Sequence, residues 1–146
     1  MTTLREALND ARSRRVAIGH FNVSDLVALK AVTETAYELK TPVLIGTSEG
    51  ERSFLGVSEI AAVVGSLRTR LDHPIFLNAD HTHSLAGAVE AARAGYDMVG
   101  FDASSTPLET NIKLTRQAVE AVKSINPRIV IEGEIGQHWQ RLRDPQ

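Results

Sequence analysis

Apolar positions along this chain fall into two rhythms that take turns. Leu4, Ala7, Leu8 and Ala11 recur at helical spacing behind Thr3, and Glu6 completes a capping box, so residues 3–14 read as a short leading helix. Val16–Val23 alternates and carries Phe21, which predicts a strand. Ser24 or Asp25 can then cap a helix bearing Leu26, Leu29, Val32, Thr33, Ala36 and Leu39 and ending near Lys40. Pro42 opens a second strand, Val43-Leu44-Ile45, which closes in a small-residue loop over residues 46–50. A helix follows over Val57–Thr69, with Ile60, Val63, Val64 and Leu67 on one face.

The pattern then repeats. Ile75-Phe76-Leu77 is a third buried strand stopping at Asn78, and Leu85–Ala94 a helix ended by Gly95. Met98–Phe101 is a fourth strand. Pro107 starts a helix with Leu108, Ile112, Thr115, Val119 and Val122 in register, stopped by Asn126-Pro127, and Ile129–Ile131 is the fifth strand. Five strands and four intervening helices after the leading helix predict an α/β protein built of parallel βαβ units.

Two architectures fit this alternation. Length favours a five-stranded doubly wound sheet, since a (β/α)₈ barrel needs roughly 250 residues. A partial TIM barrel is favoured by the strand ends, which all carry polar groups: Asn22, Ser48, Asp80 with His81, Asp102 with Ser104, and Glu132 with Glu134. Residues 137–146 are polar, include Pro145 and are too short to supply the closing helix of a doubly wound sheet. The expected organisation is one barrel-type unit over residues 1–136 and a polar tail over 137–146.

Composition narrows the partners. The 146 residues are 42% hydrophobic and 23% charged, as in a globular domain with one core. A net charge of −2 gives no electrostatic reason to expect nucleic acid or a membrane, and Arg12, Arg14 and Arg15 read as the solvated end of the leading helix. There is no cysteine, so any zinc must use imidazole and carboxylate ligands. Without a basic-then-apolar leader or a long apolar run, a cytoplasmic location is the expectation.

The richest stretch is Pro74–Ser84, where an apolar run gives way to Asp80, His81 and His83 before Ser84 opens a helix. On these residues alone two readings stand side by side. Asp80 and His81 are either catalytic groups at the carboxyl end of a sheet or a capping acid and an exposed loop imidazole.

In order along the chain, Phe21-Asn22-Val23, Thr47-Ser48-Glu49-Gly50, Asp80-His81, Phe101-Asp102-Ala103-Ser104, Asn111 with Thr115, and Ile131-Glu132-Gly133-Glu134-Ile135-Gly136 resemble the class II, zinc-dependent fructose-bisphosphate aldolases and the wider ketose-bisphosphate aldolase family. The resemblance runs from about Leu4 to Gly136 and is to the N-terminal half of the family's (β/α)₈ barrel. The family's His-x-Asp-His-Gly stands here as Asn78-Ala79-Asp80-His81-Thr82, and its Asp-Gly-Ser as Asp102-Ala103-Ser104. Gln137-His138-Trp139-Gln140 stands where the family has a glycine-rich loop.

The resemblance implies reversible aldol cleavage of a ketose bisphosphate, fructose or tagatose, to dihydroxyacetone phosphate and an aldehyde. It implies Asp80 as the acid/base, His81 as a zinc ligand, and Asp102 and Glu134 as acids of a second divalent-ion position or its surroundings. Asn22 and Ser48 would contact a phosphorylated sugar substrate. His83 has no implied role. The family's other histidine ligands belong to later strands, so the chain is expected to be inactive alone and to work with a complementary C-terminal half or as a homo-oligomer. The contrasting expectation is a non-catalytic flavodoxin-like binding domain.

Overall fold

The computed structural model describes residues 2–136. In order they form α1 (Leu4–Arg14), β1 (Gly19–Asn22), α2 (Leu26–Glu38), β2 (Val43–Thr47), α3 (Glu49–Leu55), α4 (Val57–Leu71), β3 (Ile75–Thr82), α5 (Leu85–Ala94), β4 (Met98–Phe101), α6 (Leu108–Ile125) and β5 (Val130–Gly133). The expected tail over 137–146 lies outside the described residues.

The five strands are parallel and lie in the order β1-β2-β3-β4-β5. This order decides between the two architectures. A doubly wound sheet reverses direction at a switch point, whereas right-handed crossovers that always step the same way lay every helix on one face. The doubly wound alternative is therefore wrong, and the sheet is an open stretch of barrel wall.

Two apolar clusters mark its two faces. On the helix side, Val43, Ile45, Ile75, Leu77, Ala79, Val99 and Phe101 pack with Leu29, Ile60, Val64, Leu67, Ala88, Ala118 and Val122. On the inner side, Leu44 and Phe76 meet Leu4 and Ala7, with Ile18, Met98 and Val130 around them. α1 thus plugs the amino-terminal end of the interior. Its start is the expected capping box: Thr3 N–H donates to Glu6 at 2.7 Å, and Glu6 N–H to Thr3 Oγ1 at 3.3 Å.

Four element expectations need correction. Residues 49–55 are a helix that begins inside the expected loop over 46–50, which makes six helices among the described residues rather than five. Ser48 caps α3 with a capping box to Glu51, and Arg52 carries its one buried side chain. The third strand does not stop at Asn78 but runs to Thr82, because Asn78 and Ala79 keep their ladder partners on both sides. The first strand is shorter than Val16–Val23, and the fifth is Val130–Gly133 rather than Ile129–Ile131.

Leu77 is 1% exposed at the centre of the helix-side core. Leu77→Ala is expected to destabilise the fold by about 2–5 kcal/mol through lost burial and a residual cavity. Urea unfolding monitored by circular dichroism measures it, and a cost below about 1 kcal/mol would mean that this core collapses to fill the space.

Candidate active site at the carboxyl ends of the strands

The site begins with a register fault in β3. Ala79 pairs with Val99 and Thr82 with Phe101, so Asp80 and His81 together oppose Gly100. This is a β-bulge, and His81 within it takes φ 45°, unusual for a side chain with a Cβ. Neighbouring residues in a regular strand face opposite ways, whereas a bulge re-aims one of them. Asp80 Oδ2 and His81 Nε2 accordingly lie 3.6 Å apart.

The other candidates gather around this pair. Asn22, at the end of β1, donates from Nδ2 to Asp80 Oδ2 at 2.9 Å, with Glu51 Oε2 3.4 Å away. Glu51 Oε2 also accepts the Ser48 N–H at 2.6 Å. On the other flank, His81 Nδ1 is 3.5 Å from Glu134 Oε1 and 4.0 Å from Asp102 Oδ2. All six sequence-predicted residues thus form one string: Ser48, Asn22, Asp80, His81, then Asp102 and Glu134. Glu51 is the splice that sequence reasoning missed, although Ser48-x-x-Glu51 is itself a capping-box signal.

Asp102 and Glu134 are held from behind. Asp102 is buried and accepts the Ser104 N–H at 2.8 Å. The Glu134 N–H donates to Phe101 O at 3.3 Å, and its carbonyl accepts Asn111 Nδ2 at 2.8 Å. Thr115 Oγ1 in turn donates to Asn111 Oδ1 at 3.0 Å. The Asn111 and Thr115 pair therefore fixes where β5 delivers its acid.

His83 is exposed, donates its N–H to Glu49 at 2.9 Å, and places Nδ1 3.1 Å from the Asp102 carbonyl oxygen. Its Nδ1 is thus nearest to backbone, with the Asp102 carboxylate behind at 3.8 Å.

His81, Asp102 and Glu134 can each offer one ligand atom, all within 4.8 Å of one another. One imidazole and two carboxylates suit zinc or another divalent ion, and small side-chain movements would bring the three atoms to a common centre. The residues present fit a metal.

Gly46 makes room for the string. A Cβ there would sit 2.1 Å from Asn22 Oδ1 and 2.4 Å from His20 Nε2. Gly46→Ala is expected to push Asn22 off Asp80 and cost about 1.5–3 kcal/mol, the range for a hydrogen bond to a charged group. Thermal unfolding and a crystal structure of the variant check this. An unshifted Asn22 would count against it.

Beneath the bulge lies Arg52, 5% exposed. Burial pushes its guanidinium below the ordinary value, opposed by Tyr96, Glu49, Asp80 and Glu90 around it. Burial raises the Tyr96 hydroxyl, which lies 3.4 Å from Thr47 Oγ1. Arginine still keeps its charge in such a setting.

Comparison with known proteins places the chain in a family. The family model for fructose-bisphosphate aldolase class-II matches residues 2–141. The chain is 30% identical over 141 residues to a fructose-bisphosphate aldolase of Geobacillus stearothermophilus, covering 93% of this chain and 48% of that protein. It is 30% identical over 136 residues to one of Thermus caldophilus, covering 93% and 44%. Among solved structures it is similar to the YdjI aldolase of Escherichia coli K12, with TM-score 0.81 and 31% identity over 94% of this chain and 52% of that one. The fructose-bisphosphate aldolase of Campylobacter jejuni shares the fold, with TM-score 0.82 at 23% identity over 91% and 45%. The chain spans about half the length of the curated relatives it matches. With a family match running almost end to end and the strand-end acids and imidazole in one cluster, the chain belongs to the class-II fructose-bisphosphate aldolase family.

Proposed function

We propose that the chain serves a zinc-dependent lyase that reversibly cleaves a ketose bisphosphate, fructose 1,6-bisphosphate, into dihydroxyacetone phosphate and an aldehyde. The observation that carries the reading is the unbroken string from Ser48 through Asn22 and Asp80 to His81, Asp102 and Glu134.

Aldol cleavage needs a proton carrier at the hydroxyl next to the breaking carbon–carbon bond. Asp80 is that carrier. Asn22 holds one of its oxygens and leaves the other for the substrate. His81, with Asp102 and Glu134, would hold the divalent ion, whose chemistry when bound is to polarise the ketose carbonyl. Ser48 and Asn22 lie on the flank where the sugar phosphate would sit.

The partner side of the reading concerns the sheet edges. Among the described residues β1 and β5 each pair on one side only, which leaves two seams for a complementary C-terminal half or a second copy. No described helix is long and apolar enough to cross a membrane.

A coupled assay for glyceraldehyde 3-phosphate release from fructose 1,6-bisphosphate, run on the assembled protein with and without chelator, tests the reading. Turnover that chelation removes and added Zn²⁺ restores is the expected result. Cleavage that survives complete metal removal would overturn it.

A further inference from the structure

Arg52 is a buried cation on a seven-residue helix, with Glu49, Asp80 and Glu90 among the charges around it. Its hydrogen bonds run to two backbone carbonyls and one threonine hydroxyl. Its Nη1 donates to the carbonyl oxygens of Thr47 and Asp80, the latter at 3.0 Å, and its Nη2 donates to Thr82 Oγ1 at 3.0 Å. Thr82 Oγ1 passes a hydrogen bond on to Ala79 O at 2.9 Å. One guanidinium therefore spans the end of β2 and both sides of the bulge in β3.

The geometry gives this span a consequence. The Asp80 carbonyl belongs to the peptide unit that leads into His81, so its direction and the φ of His81 are set together. His81 sits at φ 45°, where a residue with a Cβ is disfavoured, and such backbone persists only where its surroundings over-determine it. A part-buried carbonyl within a register shift also needs a donor. The planar fork of arginine supplies donors to both carbonyls and to Thr82 at once, which a lysine ammonium on its flexible stem would do less well.

We propose that Arg52 is the positioning residue that locks the Asp80–His81 bulge, so that acid/base and metal ligand face one site. The inference rests on the proposed roles of those two residues. It does not make Arg52 a group that meets substrate or metal. It acts through the backbone of its neighbours.

The test compares Arg52→Met with Leu67→Ala in the full chain. Leu67 is a buried core residue in the last turns of α4, near the start of β3 and away from the bulge, so it reports general destabilisation. Two readouts are taken: Co²⁺ affinity from visible absorption, and the backbone chemical shifts of His81, which report left-handed geometry.

Arg52→Met is expected to weaken Co²⁺ binding at least about tenfold, the range for groups that orient metal ligands, and to move His81 out of the left-handed region. Leu67→Ala, with a comparable fall in melting temperature, is expected to stay within about threefold. Arg52→Met with Co²⁺ affinity within about threefold of the parent overturns the proposal, as does His81 keeping its shifts, or an equal loss in Leu67→Ala.

Where Arg52→Met does not fold, Thr82→Val keeps the buried charge and removes the Nη2 acceptor together with the Thr82–Ala79 hydrogen bond. The same His81 shift change is then required of it. Should the parent chain bind no Co²⁺, the metal reading itself fails, and the His81 shifts alone decide whether Arg52 holds the bulge.

Discussion

Asp80→Asn is expected to lower kcat for fructose 1,6-bisphosphate cleavage by about 10²–10⁴-fold while leaving KM within about threefold. The substitution is close to isosteric, and an asparagine oxygen can still accept from Asn22, whose Nδ2 lies 2.9 Å from Asp80 Oδ2. What disappears is the ability to take and return a proton. Because Asp80 is not one of the three proposed ligands, bound zinc per chain is expected to remain unchanged. Steady-state kinetics with metal analysis separates the cases. A variant that loses zinc along with activity would recast Asp80 as a ligand, and one retaining turnover within about tenfold would remove it from the proton path.

Asn22 feels the same chemistry from one step back. Without its amide, Asp80 would lose a hydrogen bond to its charged form and some of its orientation. The effect on kcat should therefore be smaller than that of Asp80→Asn, yet in the same direction.

Much of this arrangement was readable in the sequence, for reasons that differ from residue to residue. Apolar periodicity located all five strands, because β2, β3 and β4 are buried on the helix side and their Val, Ile, Leu and Phe residues form continuous runs. Strand-end polarity located Asn22, Asp80, Asp102 and Glu134, since a barrel presents its chemistry at one end of the sheet. Strand order was not readable. Alternation of elements is the same in a doubly wound sheet and a barrel, and it is the pairing of β3 with β2, rather than with β1 as in a flavodoxin-like sheet, that separates them.

The local misses share a cause. α3 was hidden because Gly50 and its small neighbours read as a turn, while the Ser48–Glu51 box that announces the helix went unweighed. Asn78 read as a strand stop because it is polar. In the structure it is fully buried on the inner face, beside His20, and β3 runs on through it. Arg52 carried no sequence signal, since a charged residue in a short polar segment ordinarily lies in water. The bulge has no sequence signature either. Only its result was anticipated, in the requirement that adjacent Asp80 and His81 turn toward one site.

His81→Ala is expected to weaken Co²⁺ or Zn²⁺ binding by at least about 100-fold, more than the loss of a group that merely orients a ligand. Among the described residues His81 is the imidazole of the three-residue group, and its Nδ1 faces both partner acids, 3.5 Å from Glu134 and 4.0 Å from Asp102. Removing it leaves two carboxylates, a set that favours hard ions over zinc. A stability readout makes the effect visible without turnover. A metal present at about 100 times its dissociation constant stabilises the parent by about 2.7 kcal/mol, and this increment should vanish in His81→Ala. His83→Ala provides the contrast: its Nδ1 is 3.1 Å from the Asp102 backbone oxygen and 3.8 Å from Asp102 Oδ2, outside the three-residue ligand group, and its affinity should stay within about threefold of the parent. Equal losses in the two variants would place the ion between both imidazoles and move the centre of the site from Glu134 toward the start of α5. A loss confined to His81→Ala leaves the bulge as the device that turns an ordinary strand residue into a ligand.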